Sequence, residues 1–174
     1  RVGVVIDNGC LFRGGKEGGI RRKVVEADLV ECVLLLPEKL FYNTGAPGAI
    51  IILRKNKPPE RKDKILFINA SNEYVKHPTV RKLNTLSEEN IRRIAEAYKS
   101  FKDVEGFAKV VSLNDVRANG YNLNVSLYVL PAETTEQIDI SKEFAELKEL
   151  EKEKEEIGKK LEEYLSELIP VISG

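Results

Sequence analysis

Two aromatic side chains stand together in Leu40-Phe-Tyr-Asn-Thr-Gly-Ala-Pro47, beside the amide of Asn43 and the hydroxyl of Thr44. A polar loop easily buries one ring of such a pair, which leaves the other available to stack on a planar ligand such as an extruded nucleobase. The plain alternative is that both rings pack under the loop, and these residues alone favour it. The segment follows the apolar run Cys32-Val-Leu-Leu-Leu36, and open α/β sheets place ligands beyond the carboxyl ends of their strands. Asp7-Asn8-Gly9 stands in the same relation to the run Val2 to Ile6, although Asn-Gly is also an ordinary turn.

Other chemical signals are weaker. Gly14-Gly-Lys-Glu-Gly-Gly19 lies between a strand and a helix, where phosphate loops occur. It has neither the terminal Lys-Ser/Thr of a P-loop nor the dinucleotide fingerprint, so a flexible loop is the better reading. Pro58-Pro59 is framed by Lys57 and Glu60, without an Asn or Asp to accept hydrogens from a substrate amine. Arg54, Lys55 and Lys57 open the richest cationic run, which extends to Lys64. Contact with a nucleic-acid backbone and a merely solvated loop explain that run equally well. Lys+Arg and Asp+Glu both number 28, for a formal charge of +0, so no global basic field surrounds the molecule. Cys10, Cys32 and the single His77 offer no metal-ligand spacing, and no metal is expected. Two thiols inside apolar stretches fit a reducing, cytoplasmic setting. No apolar run approaches the roughly 18 residues of a membrane span, and no signal peptide precedes the first strand.

The elements that must position these groups read as α/β. With 174 residues and 42% hydrophobic content, the chain supports one domain, residues 1–131, with an appendage. Val2 to Ile6 is a β-branched run typical of a strand covered on both faces. A helix is expected from Ile20 to about Glu31, with Ile20, Val24, Val25 and Leu29 on one face. Strand, helix and the strand Cys32–Leu36 then suggest a right-handed βαβ unit with parallel neighbours. Ala49–Leu53 suits an antiparallel return, and Lys64–Asn69 a fourth strand. Ser87 caps a helix carrying Ile91, Ile94, Ala95 and Tyr98. Phe107–Val111 suggests a short strand, and Ser112–Gly120 a short helix closed by its glycine. Residues 132–140 form a polar linker. Residues 141–170 form one long charged helix whose apolar positions are Leu147, Leu150, Ile157, Leu161, Tyr164 and Leu168, with Lys154 as the polar member. That is an a/d seam over about three heptads, too narrow for a globular core face. It calls for a partner helix on another subunit or, alternatively, on its own domain.

Several segments taken in order carry a family resemblance. They are Gly3-Val-Val-Ile-Asp-Asn-Gly-Cys-Leu-Phe12, Ile20-Arg21, Leu36-Pro37, Leu40-Phe41, Thr44-Gly-Ala-Pro47, Ile50–Leu53, Lys64-Ile-Leu-Phe-Ile-Asn-Ala-Ser71, Val111-Ser-Leu113 and Tyr121-Asn-Leu-Asn124. The series resembles the later motifs of the modification (M) subunit of type I restriction-modification systems, which are N6-adenine DNA methyltransferases. The resemblance implies the C-terminal half of a Rossmann-like methyltransferase sheet dependent on S-adenosylmethionine, followed by a partner-binding helix. The family's glycine-rich cofactor loop and Asn-Pro-Pro-Phe/Tyr motif do not occur here. The resemblance therefore implies no catalytic residue in this chain and no activity from the chain alone. Phe41 and Tyr42 match the aromatic that stacks on the flipped adenine in related enzymes, and either fits. Implied partners are DNA, a second M subunit, a restriction subunit, and a specificity subunit that packs on Leu147, Leu150, Ile157, Leu161 and Leu168. Val125-Ser-Leu127-Tyr128 departs from the family's frequent Pro-Arg-Tyr, which leaves the contact of that Arg in doubt. The competing expectation is a non-catalytic interaction scaffold built from the same fold.

Overall fold

β-Branched and aliphatic runs form a five-stranded mixed sheet in which Val2–Asp7, Gly48–Leu53, Val30–Leu35, Lys64–Asn69 and Ala108–Ser112 lie side by side in that order. Its strands are β1 (Val2–Asp7), β2 (Val30–Leu35), β3 (Gly48–Leu53), β4 (Lys64–Asn69) and β7 (Ala108–Ser112). A two-stranded ribbon, β5 (Val75–Lys76) with β6 (Asn84–Thr85), stands apart from it. Helices α1 (Gly15–Glu26), α2 (Glu88–Ser100) and α3 (Leu113–Ala118) complete the regular elements. This computed structural model describes residues 1–130, 147–152, 154, 157–159 and 161. The chain divides into two compact units, Arg1–Glu133 and Thr134–Gly174.

Alternation in β2 and β4 feeds two core layers. Val33, Leu35, Ile65 and Phe67 face one layer with Leu11, Val25 and Val116. Cys32, Leu34, Leu66 and Ile68 face the other with Ala97 and Phe107. Helix α2 starts where expected: Ser87 Oγ accepts from Asn90 N–H, and the Asn90 side chain accepts from Ser87 N–H. Helix α3 gives way to Gly120 at φ 63°, a left-handed position that suits glycine.

Three expectations need correction. β1 and β2 run in the same direction but are not neighbours, because β3 lies between them and pairs antiparallel with both. β2 pairs in parallel with β4 instead. Nor is β1 covered on both faces: it is an outer strand, with Val2 57% and Val5 58% exposed. Helix α1 begins and ends several residues before the expected span. The glycine run supplies its first turn rather than a loop, and Asp28 at φ 50° stops it, with Leu29 N–H bonding Val24 O. Val30 is then free to pair with Leu53, and Glu31 becomes a strand residue. Ile20, expected on the buried face, is 64% exposed.

In the second unit, residues 147–152 are helical. Leu147, Leu150, Ile157 and Leu161 are all more than half exposed. The linker 132–140, Tyr164 and Leu168 lie outside the described residues. Among the described residues no helix is long and apolar enough to cross a membrane.

Candidate functional site

The segment from Pro37 to Pro47 joins the end of β2 to the start of β3, beside the end of β1, where Asp7 pairs with Gly48. Its base is fastened from the ribbon. Asn84 N–H donates to Lys39 O at 2.8 Å, and Asn84 Nδ2 donates to Glu38 O at 2.8 Å. At the tip, Ala46 N–H donates to Thr44 Oγ1 at 3.1 Å, a local turn of the kind hydroxyl side chains build.

The two adjacent rings part company. Phe41 lies against the backbone of Gly48 and is 37% exposed, whereas Tyr42 is 79% exposed. Neither is entombed, so the packing of both rings under the loop does not occur. Phe41, Thr44, Pro47 and Gly48 line an open cleft of about 480 Å³ together with Asp7 and Arg13. Asp7 accepts from Gly9 N–H at 2.9 Å and pairs with Arg13 Nη2 at 2.9 Å. The Gly9 bond, aided by the Arg13 charge, holds the Asp7 carboxyl below its ordinary range. The arrangement offers a half-exposed ring with a fixed charged pair beside it, at the carboxyl end of a strand. That suits a flat, partly polar ligand better than nucleophilic chemistry.

The expected cationic run lies at the opposite end of the sheet. Arg54 Nη1 bonds Glu31 Oε1 at 3.0 Å, and Lys57 Nζ bonds Asp28 Oδ1 at 2.6 Å with its side chain 1% exposed. Of the three, only Lys55 is exposed with no charged partner among the described residues. Glu31 is the centre of this end: it is fully buried, receives Tyr98 Oη at 2.5 Å and Arg61 Nη1 at 3.3 Å, and lies 3.4 Å from Arg1 Nε. Burial alone would raise its carboxyl, but the Tyr98 and Arg54 bonds with the Arg1 charge outweigh it and hold the group ionised. Burial and that same carboxylate push Tyr98 up to about 12. These groups support one another and leave nothing poised to react.

Both cysteines are free thiols, and burial pushes Cys32 far up. Among the described residues no group of three His, Cys, Asp or Glu side chains is placed to hold a metal. Sequence reasoning missed the Asp7–Arg13 pair and the seat at Gly48. The nearest signal was Asp7-Asn8-Gly9, and its turn reading holds, since Asp7 caps the 3-10 turn Asn8–Leu11.

Comparison with known proteins places the chain in a family. Residues 1–137 match the family described as N-6 DNA Methylase. The chain is 59% identical over 168 residues to the type I restriction enzyme MjaVIII methylase subunit of Methanocaldococcus jannaschii. It is 56% identical over 174 residues to the MjaVII methylase subunit of the same organism. Those alignments take in 97% and 100% of this chain but only 29% of each relative, so it spans under a third of their length. The methyltransferase subunit of a type I restriction-modification system from Streptococcus thermophilus superposes with a TM-score of 0.67 at 37% identity, over 73% of this chain and 26% of that one. The chain belongs to the N-6 DNA methylase family, as part of a type I restriction-modification methylase subunit.

Proposed function

We propose that this chain completes the catalytic domain of a DNA methyltransferase subunit that moves a methyl group from S-adenosylmethionine to N6 of adenine. In this reading it is the C-terminal half of the Rossmann-like sheet. The carrying observation is the outer edge of β1, unpaired among the described residues and flanked by exposed Val2 and Val5. A bare apolar edge strand is a template for another strand. The Phe41 cleft sits at the carboxyl end of that same strand. A strand laid along β1 from the rest of the subunit would bring its own loop to the cleft.

Phe41 is the better stacking partner for the flipped adenine. Its ring is already seated on Gly48, so little freedom is lost on binding, whereas Tyr42 projects into solvent. Stacking fixes the plane of the base, which orients its exocyclic amine for in-line transfer. The cofactor belongs to the rest of the subunit. The glycine run of this chain is folded into α1, and the one carboxylate in the cleft, Asp7, is already paired. By itself the chain supplies no methyl transfer.

The helical residues of the second unit supply the assembly role, with Leu147, Leu150, Ile157 and Leu161 offered to a helix of the specificity subunit. The whole enzyme then joins DNA, a second M subunit, a specificity subunit and, for cleavage, a restriction subunit, in the cytoplasm. The test is a radiolabelled methyl-transfer assay on DNA with the full-length subunit and its specificity subunit, run beside the isolated chain. Adenine N6 methylation by the complex and none by the chain is the expected result. Methylation by the isolated chain, or none by the complex, refutes the reading.

A further inference from the structure

The other face of the aromatic loop opens a second cleft of about 620 Å³, lined by Lys39, Lys76, Arg81 and Lys82 with Tyr42 and Thr44. No carboxylate lines it. The cations come from three segments: the loop after β2, strand β5, and the turn leading to β6. Their placement is built. Lys39 holds a left-handed backbone at φ 58° with its carbonyl bonded by Asn84 N–H. The turn is pinned by His77 Nδ1, which accepts from the N–H groups of Thr79 and Val80. Lys76 Nζ donates to Asn84 Oδ1 at 3.1 Å.

Elsewhere in this unit some cations are matched to acids, while others, Lys55, Lys62 and Lys102 among them, stand singly rather than gathered around one cleft. Arg54 and Arg61 face Glu31, Lys57 faces Asp28, Arg93 faces Glu73, and Arg117 faces Glu26. Lys39, Arg81 and Lys82 have no ion-pair partner among the described residues. Four like charges around one cleft repel one another, and a chain of closely spaced anions relieves that repulsion. Thr44 lines both clefts, so the basic one lies beside the one that holds Phe41. A strand engaged at Phe41 carries its flanking phosphates past the loop. With the methyltransferase reading as its premise, we propose that Lys39, Lys76, Arg81 and Lys82 hold the phosphodiester backbone of the DNA strand adjoining the base at Phe41. Phosphate contacts of this kind position a duplex without reading its sequence.

The test follows binding of a fluorescein-labelled duplex to the full-length subunit with its specificity subunit, by anisotropy over a salt series. The variant is Lys39→Ala/Arg81→Ala/Lys82→Ala; Lys76 is kept because it braces buried Asn84. The control is Lys55→Ala/Lys62→Ala/Lys102→Ala, three exposed cations near the opposite end of the sheet. Each phosphate contact contributes about 0.9 to the slope of log K against log salt. The expected result is a slope smaller by about 2–3 in the variant, an equal affinity loss on target and non-target duplexes, and an unchanged slope in the control. An unchanged slope in the variant, or an equal drop in the control, overturns the inference. So does a cleft that takes up inorganic phosphate while the substitutions leave DNA binding untouched. A wild-type complex that methylates DNA beside an unaffected variant sinks this inference alone. A wild-type complex that neither binds nor methylates DNA sinks the methyltransferase reading as well.

Discussion

The ring of Phe41 rests on Gly48: a Cβ placed at residue 48 would stand 2.6 Å from Phe41 Cε2 and 3.2 Å from Cζ. Gly48 is the first residue of β3 and pairs with Asp7 of β1. Its lack of a side chain, rather than any unusual φ, is what the ring requires. The sheet thus sets where the aromatic stands, although the aromatic itself belongs to a loop.

Phe41→Ala in the full-length enzyme should weaken binding of the flipped base by about 1–3 kcal/mol, the range for losing one base–aromatic stack. Gly48→Ala should act in the same direction more mildly, because the clash falls on the far end of a side chain that can swing away. Tyr42→Ala should leave base flipping intact. Fluorescence of 2-aminopurine at the target position reads all three. A loss confined to Tyr42→Ala would move the assignment to that ring.

Glu31→Gln should lower stability by about 3 kcal/mol, measured by urea unfolding. The substitution removes the charge that Arg54, Arg61 and Arg1 share and weakens the bond from Tyr98. Breaking a buried ion pair from one side costs about 3–5 kcal/mol, and the low end applies because the arginines keep some contact with water. An unfolding midpoint equal to that of the wild type would show that the cluster contributes no net stability.

What the sequence revealed follows from how local each signal was. β4 runs over Lys64–Asn69 as its apolar run indicated, and Ser87 caps α2, because both depend on neighbours within a few residues. The start of α1 was hidden because glycine is a poor helix former, so Gly15 to Gly19 read as loop. Strand order was hidden for a different reason. The wedging of β3 between β1 and β2 is decided by long-range pairing that no local pattern encodes. The aromatic pair at Phe41 and Tyr42 stood out by adjacency, but its seat on Gly48 depends on β3 register. The cations of the second cleft are spread through separate segments, so the continuous run Arg54 to Lys64 drew attention instead. In the fold, Arg54 and Lys57 from that run are tied to Glu31 and Asp28.

Acid should expose the pairing of α1 with α3. Glu26 accepts from Arg117 Nε at 3.0 Å, Arg117 Nη2 at 2.9 Å and Tyr121 Oη at 2.6 Å. The Arg117 and then the Tyr121 bonds lower its carboxyl from 4.5 to about 2. Between those values the unfolded chain binds more protons than the folded one. The contribution is therefore complete above about pH 4.5 and fades as pH falls towards about 2. Glu26→Gln should flatten that part of the stability profile and leave the slope above pH 6 unchanged, as read by denaturation midpoints across a pH series. A wild-type profile already flat between pH 5 and 2 would contradict the assignment.

Leu150→Lys/Ile157→Lys should abolish association with the specificity subunit while the sheet stays folded. Both side chains are exposed, at 56% and 65%, and belong to the three-four spacing that also includes Leu147 and Leu161. Burial of a leucine or isoleucine contributes about 1.5–3 kcal/mol, so losing two seam positions and adding charge removes most of what a narrow helix pair gains. Co-purification of the two subunits reports association, and circular dichroism reports the fold. Because the first unit carries its own core from Leu11 to Val129, its spectrum should be unaffected. Retained co-purification would mean that the specificity subunit binds elsewhere, and the apolar seam would then need another partner.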